Sequence, residues 1–319
     1  MNSKWLNYLL LTVVFVTMIL SAGCNQEKVL RVGTNTWPGY ETLYLARDLE
    51  FFSDQEIKMQ ELLSASDVMT AFKEGLLDVA ALTLDEALSL LSEGVALKVF
   101  LVMDISAGAD AVVARSDISL AELMGKTIGL EQTAVGAVML DGILQKTGLQ
   151  LSDIQVKHIT PDQHVSMFNA GAIDAVITFE PRTSQLLKGD AKILFDSNDI
   201  PGRIVDVLVV KPEIIESSRG NLVKLVNAQF KALQILSSQP ELAAAKMRYR
   251  LDVAETEVMS LFEGMKLPDR KENQAMFADN AAALQKTASH LADILNRASL
   301  IDSIVNTAEL FEPSLLDAH

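Results

Sequence analysis

The chain has 319 residues, 49% of them hydrophobic and 22% charged, with a formal net charge of −15 at pH 7. That hydrophobic content excludes a disordered chain, and the acidic balance excludes broad adhesion to nucleic acid or to anionic lipid. A single cysteine excludes an internal disulfide, so apolar cores must hold the protein together.

The first element in chain order is a leader. Lys4 and the amino terminus give a weakly positive start. Residues 9–20 form a short apolar run broken by Thr12 and Thr17, and Ser21-Ala22-Gly23 precede Cys24. This is signal-peptide anatomy. A cysteine placed directly after small residues resembles the lipobox of bacterial lipoproteins, where the thiol takes a diacylglycerol. Ser21 stands where Leu is usual, with Leu20 one place earlier. The expectation is a signal peptide over 1–23 and a lipidated tether over 24–28. The alternative is an uncleaved membrane helix over residues 5–22. Either way the remainder lies outside the cytoplasm.

Strand and helix signals then alternate. Strands are predicted over 29–33, 57–62 and 78–82. Helices are predicted over 41–52, from the Ser66-Asp67 cap to 74, and over 85–92. Further strands fall at 99–103, 111–114 and 127–130. A helix over 135–146 stops at Gly148. After a strand at 204–211 the pattern turns helical, over 221–237, 241–250, 254–263 and 271–296, with no strands between. Such alternation predicts an α/β fold with mainly parallel sheets and crossover helices.

One spacing occurs twice. Phe72, Gly75 and Asp78 lead into Val79-Ala80-Ala81-Leu82-Thr83, and Phe168, Gly171 and Asp174 lead into Ala175-Val176-Ile177-Thr178-Phe179. In each, the Phe packs a helix end, the Gly permits a left-handed stop, and the Asp opens a buried strand. An acidic turn follows each strand, Asp85-Glu86 and then Glu180-Pro181. The repeat predicts two lobes, residues 29–109 plus 205–319 and residues 110–204. The chain would cross between them near 108–111 and 201–206.

Four groups of residues carry a family resemblance. They are Trp37-Pro38-Gly39-Tyr40 ahead of Leu45-Ala46-Arg47-Asp48, the Phe72/Gly75/Asp78 set, Gly125-Lys126-Thr127-Ile128-Gly129, and Ile173-Asp174-Ala175 with Phe179-Glu180-Pro181. In this order, over residues 29–312, the chain resembles the periplasmic solute-binding proteins of the nitrate, sulfonate and taurine class of ABC importers, which includes thiamine-precursor binders. The resemblance implies a two-lobed α/β fold of the periplasmic-binding-protein type II, with the helical C-terminal segment packed on the first lobe. It also implies a monomer that closes on a small molecule and presents a surface to an ABC permease, with no cofactor or metal.

Candidate ligand contacts follow the strand ends. Trp37 and Tyr40 lie after the first strand, where an aromatic ring can stack on a ligand. Thr83 and Asp85 follow the third, Asp85 being either a ligand contact or a helix cap. Asp104 and Ser106, with Gly108 and Asp110, cluster where the chain leaves the first lobe. Glu131 and Thr133 open a helix whose free amides suit an anion, yet Glu131 would repel one. Glu180 holds the equivalent edge of the second lobe, and Asp206 lies on the return strand. Arg115, Arg182 and Arg203 are near in sequence, but each can pair with neighbouring acids. So many carboxylates point to a ligand bearing an amine or other donor, zwitterions included, because a buried carboxylate needs a partner. Alternatively the carboxylates only cap helices.

Two other functions compete. A tethered binder can present its closed form to a membrane receptor or kinase instead of a permease. An enzyme resembling the thiamine-pyrimidine synthase of this fold family would need a cysteine-rich motif and a histidine. This chain has only Cys24, and His158, His164, His290 and His319 fall outside the predicted ligand loops. His158 and His164 are expected on the second lobe's outer strand and helix.

Overall fold

The computed structural model describes residues 27–301 and 305–317. The expected signal peptide and Cys24 lie outside the described residues. The first part contains β1 (Leu30–Thr34), α1 (Glu41–Asp48), β2 (Ile57–Glu61) and α2 (Ala65–Lys73). It continues with β3 (Val79–Thr83), α3 (Leu84–Ser92) and β4 (Lys98–Ser106). The second contains β5 (Asp110–Arg115), β6 (Thr127–Leu130), α4 (Ala134–Thr147), β7 (Gln155–His158) and α5 (His164–Asn169). It ends with β8 (Ala175–Phe179), α6 (Arg182–Leu187) and β9 (Ala191–Asp196). After β10 (Val205–Val210) come α7 (Pro212–Ser217), α8 (Arg219–Ser238), α9 (Pro240–Leu251), the short β11 (Met265–Lys266) and α10 (Arg270–Arg297).

These strands make two sheets, ordered β2-β1-β3-β10-β4-β11 and β7-β6-β8-β5-β9. Within each, three strands are parallel: β2, β1 and β3 in one, β7, β6 and β8 in the other. The expectation of mainly parallel sheets needs correcting. β10 is antiparallel to β3 and β4, and β5 is antiparallel to β8 and β9. Each of these strands arrives from the other sheet and so starts where the parallel strands end.

The sequence repeat is visible at atomic detail. Gly75 and Gly171 both take left-handed φ, +78° and +71°. Asp78 then accepts from the backbone N–H of Arg31 at 2.9 Å, and Asp174 from that of Thr127 at 2.8 Å. Each Asp thus clips its strand to the neighbouring parallel strand. Leu77 and Ile173 lie over Gly33 and Gly129, where any Cβ would collide with them. Alternate residues of β5 serve different cores: Val112 and Ala114 face the large one, Ala111 and Val113 a smaller cluster with Phe168 and Ile173.

Local endings differ from the periodicity in three places. α1 stops at Asp48 instead of reaching residue 52, because Glu50 turns left-handed (φ 58°) and Phe51 N–H closes on the Ala46 carbonyl. Residues 255–262 form two 3₁₀ turns, not a helix. α10 is interrupted at residues 278–281, where Asp279, Asn280 and Ala281 all have positive φ. That helix also does more than cover the first sheet. It packs on both α3 and α4, and Arg297 pairs with Asp141 of α4 at 3.3 Å. α8 covers α1, and α9 packs on both. Among the described residues no helix is long and apolar enough to cross a membrane.

Candidate functional site

β3 and β8 end, and β10 and β5 begin, on the two sides of one cleft. The register sets carboxyl groups there. Asp206 is paired with Thr83 on one side and with Asp104 on the other. Asp110 is paired with Phe179. Between the sheets lies a small cavity of about 40 Å³, walled by Trp37, Tyr40, Glu86, Asp110, Phe179 and Asp206. Thr83, Glu131 and Thr133 complete its polar lining.

The aromatic wall spans both sheets. Trp37 meets Phe179 edge-on, with ring centroids 5.7 Å apart and an 80° interplanar angle. Its indole N–H donates to Asp104 Oδ2 at 3.0 Å. The Tyr40 hydroxyl donates to Asp206 Oδ1. Gly39 is required beneath this arrangement, since a Cβ there would collide with Asp104 Oδ2 and the Trp37 nitrogen. These donors satisfy one oxygen of each acid. Asp110 Oδ2 remains buried without a hydrogen-bond partner, while Asp104 also meets the Asp206 carboxyl and the Thr83 hydroxyl serves Asp85 and Glu86.

Burial governs the charge state. It raises Asp104 to about 7, against the hydrogen bond from Trp37, and the neighbouring Asp110 raises it further. Burial likewise raises Asp110 to about 6 and Glu86 to about 8. Asp206 is pushed well above the ordinary carboxylate range by burial and then by the charge of Asp104. Like carboxylates this close cannot all ionise in a low-dielectric cleft, so the group holds protons near neutrality.

One contact closes the cleft directly. Glu131, in the loop after β6, reaches the other sheet's layer and accepts from Ser66 N–H at 3.2 Å and Ser66 Oγ at 3.1 Å. Ser66 lies in the first turn of α2, whose N-cap Ser64 accepts from Asp67 N–H. A negative group there meets both free amides and the positive end of the helix dipole.

Residues 24–249, more than two thirds of the chain, match the NMT1-like family. The chain belongs to the NMT1-like family. Its sequence is 26% identical over 137 residues to a putative binding protein of Brucella abortus, covering 41% of this chain and 43% of that relative. The match therefore spans under half the length of that curated relative. In fold, this NMT1-like chain is similar to the alkanesulfonate-binding protein SsuA from Xanthomonas axonopodis pv. citri bound to MOPS. The TM-score is 0.76 at 17% identity, covering 91% of this chain and 99% of that one. It is also similar to the periplasmic nitrate-binding protein NrtA from Synechocystis PCC 6803, with TM-score 0.71, 12% identity and coverage of 91% and 87%. The desulfurization enzyme DSZB has the same fold, with TM-score 0.65, 16% identity and coverage of 90% and 98%. The two-lobed α/β architecture expected from the sequence is the architecture these proteins share.

Within this NMT1-like fold, Trp37, Tyr40, Thr83, Glu131, Thr133 and Asp206 line the cavity together. Asp104 stands directly behind Trp37, fully buried. Asp85 is not in the wall and is not the helix cap. Its carboxyl is fully buried and raised to about 7 by that burial, against the Thr83 hydroxyl and its own backbone N–H, while Glu86 caps α3 by accepting from Thr83 N–H at 2.9 Å and also faces the cavity. Ser106 is a crossing clasp: its hydroxyl bonds that of Ser197 at 2.8 Å and accepts from Asp110 N–H at 3.2 Å. Glu180 is outside the wall, accepting from Ser184 N–H at 3.2 Å and Ser184 Oγ at 3.0 Å to cap α6.

The arginines find other partners, as expected for Arg203, which meets Asp141 at 3.5 Å. Arg115 and Arg182 instead use carbonyls, of Phe168 and Pro161, each at 2.7 Å. Arg182 also lies 5.1 Å from the Phe179 ring centre. His164 is not on an outer surface. It is buried, with Nδ1 2.9 Å from Thr178 Oγ1 and its ring edge-on to Phe179, and burial holds it down to about 3, a neutral imidazole. His158 is exposed on edge strand β7, as expected. Glu86 and Phe179 escaped the sequence reading, although Thr83 followed three places later by Glu86 is a capping-box pattern. Among the described residues no group of three or more His, Asp or Glu is arranged to hold a metal ion.

Proposed function

We propose that this protein is the extracytoplasmic ligand-capturing component of an ABC importer, closing on a small amine, cationic or zwitterionic. The observation that carries this reading is the pair of buried acids in the cavity wall, Asp206 and Asp110, the latter with Oδ2 buried and unpartnered, beside an aromatic wall. A primary ammonium brings three N–H donors and one positive charge. It relieves the unpaired carboxylates and gains from the faces of Trp37 and Phe179. The moving units are residues 29–109 plus 205–319 and residues 110–204. Closure is favoured because a cation between Asp110 on one unit and Asp206 on the other is attracted to both. The binding roles named for the alkanesulfonate and nitrate proteins of this fold support capture over catalysis. Lipid on Cys24 would keep the captor beside a permease.

The test is calorimetry on the full chain with methylammonium, ethanolamine, taurine, methanesulfonate and nitrate. The amines bind and raise the melting temperature by mass action. Binding of nitrate or methanesulfonate without binding of any amine would overturn the reading.

A further inference from the structure

We infer that Glu131 is a specificity-determining residue that fills the cleft's anion-binding position with the protein's own carboxylate and so rejects ligands bearing only an anionic group. This inference rests on the cleft being the ligand site. Three observations support it. The first-turn N–H and hydroxyl of Ser66 are the donors that an anionic group would need, and both are committed to Glu131 Oε1. The carboxylate comes from the loop after β6, in the opposite sheet, so the contact spans the cleft. The same cavity holds a second acid, Asp110, whose Oδ2 is buried and unpartnered. The surplus in this cleft is therefore of acceptors, and an incoming anion would have to expel Glu131 into the cleft without compensation.

Arg182 is the cation closest to changing this balance, and its charge already acts on Glu131. Its Nε donates to the Pro161 carbonyl, outside the cavity wall. Its Nη1 is buried without a partner, but Arg182 is not in the cavity wall, so it offsets the charge of Glu131 from behind the lining and does not stand in for the Ser66 donors.

The experiment compares wild type, Glu131→Ala and Glu131→Gln at pH 6, using methanesulfonate, nitrate and methylammonium as probes. At that pH Asp104 and Glu86, raised to about 7 and 8, are mostly neutral, and Asp110, raised to about 6, is partly ionised in all three proteins alike, so the comparison reads the change at position 131. Glu131→Ala frees Ser66, and anion affinity should rise about tenfold or more, on the order of 1.4 kcal/mol. Glu131→Gln keeps an oxygen for Ser66 but removes the charge, so its gain is about threefold. It also carries the test should the alanine variant fail to fold. Anion affinity no higher in either folded variant than in wild type overturns the inference. If methylammonium binds wild type and no variant gains anions, Glu131 is not the filter while the amine reading stands. If anion affinity rises as expected but no amine binds wild type, the filter stands and the amine reading falls.

Discussion

Asp110 and Asp206 hold the same place in the two sheets: Asp110 is paired with Phe179, the last residue of β8, and Asp206 with Thr83, the last residue of β3. Asp110 is the first residue of β5 and Asp206 the second of β10, the strands that arrive from the other sheet, and both side chains line one cavity. Their burial has a consequence for stability. Asp104, Asp110 and Glu86 hold their protons to about 7, 6 and 8 in the folded protein, whereas the unfolded chain releases them near pH 4. Between those limits the folded state binds more protons, so stability falls as pH rises. The ligand-free melting temperature should drop from pH 5 to pH 8, by about 2–4 °C per kcal/mol lost. An amine ligand should reverse the drop and release protons, seen as calorimetric heats that vary with buffer ionisation enthalpy. A melting temperature that climbs over this range contradicts the buried-acid description.

Asp104→Asn separates charge from packing. The asparagine oxygen can still accept from Trp37, so the aromatic wall stays in place. The charged acceptor is lost, and amine affinity should fall about 10- to 100-fold, the scale of a charge-assisted hydrogen bond. The ligand-free protein should be as stable as wild type or more so at pH 8, because a buried ionisable group is gone. Equal amine affinity in the two proteins would remove Asp104 from the ligand's surroundings.

Gly39→Ala tests whether the Trp37–Asp104 bond depends on backbone space. The added methyl collides with both partners of that bond. Overpacking of this kind costs about 1–3 kcal/mol. Trp37 is the chain's second tryptophan after Trp5. In a Trp5→Phe background, its emission should therefore shift as the indole loses its acceptor. An unshifted spectrum with unchanged stability would show that the loop absorbs the methyl freely.

How far the sequence could be read depended on the range of each interaction. The Gly75/Asp78 and Gly171/Asp174 repeats are local, and the structure uses both in the same way, down to the Asp-to-backbone clip. Trp37 and Tyr40 were legible because they follow a strand end. The direction of β5 and β10 was not, since it depends on crossings between sheets separated by about a hundred residues. For the same reason the pairing of Asp104 with Asp206 could not be read from periodicity. Glu180 and Asp85 show the opposite error: position after a strand does not say whether a carboxylate turns to the cleft or to its own helix.

Cys24→Ser distinguishes anchoring from capture. Cells carrying the variant should release or mislocalise the protein, read by fractionation, while the purified protein binds amine with unchanged affinity. Retention in the membrane fraction would remove the thiol from the anchoring scheme and leave the cleft untouched.

Arg250→Ala probes a buried pair away from the cleft. Glu41 is 1% exposed, and its carboxylate meets the Arg250 guanidinium at 3.2 Å, while a second arm of Arg250 reaches Glu61 at 2.7 Å. The guanidinium also stacks 3.3 Å from the Tyr44 ring centre. Burial raises Glu41 to about 7, and Arg250 is the main force opposing that rise. Without the arginine, Glu41 must ionise unpaired or keep its proton, and the loss should be about 3–5 kcal/mol. The sign with pH follows directly. The variant's Glu41 is raised further, so above about pH 7 its folded state keeps a proton that the wild-type folded state has released, and the defect grows as pH rises through 7. Adding Glu41→Gln should recover much of the loss, because a neutral amide needs no counter-charge. Denaturant melts of the two single variants and the double variant measure the coupling. A double variant as unstable as the sum of the singles would mean that Arg250 stabilises through Tyr44 and Glu61 alone.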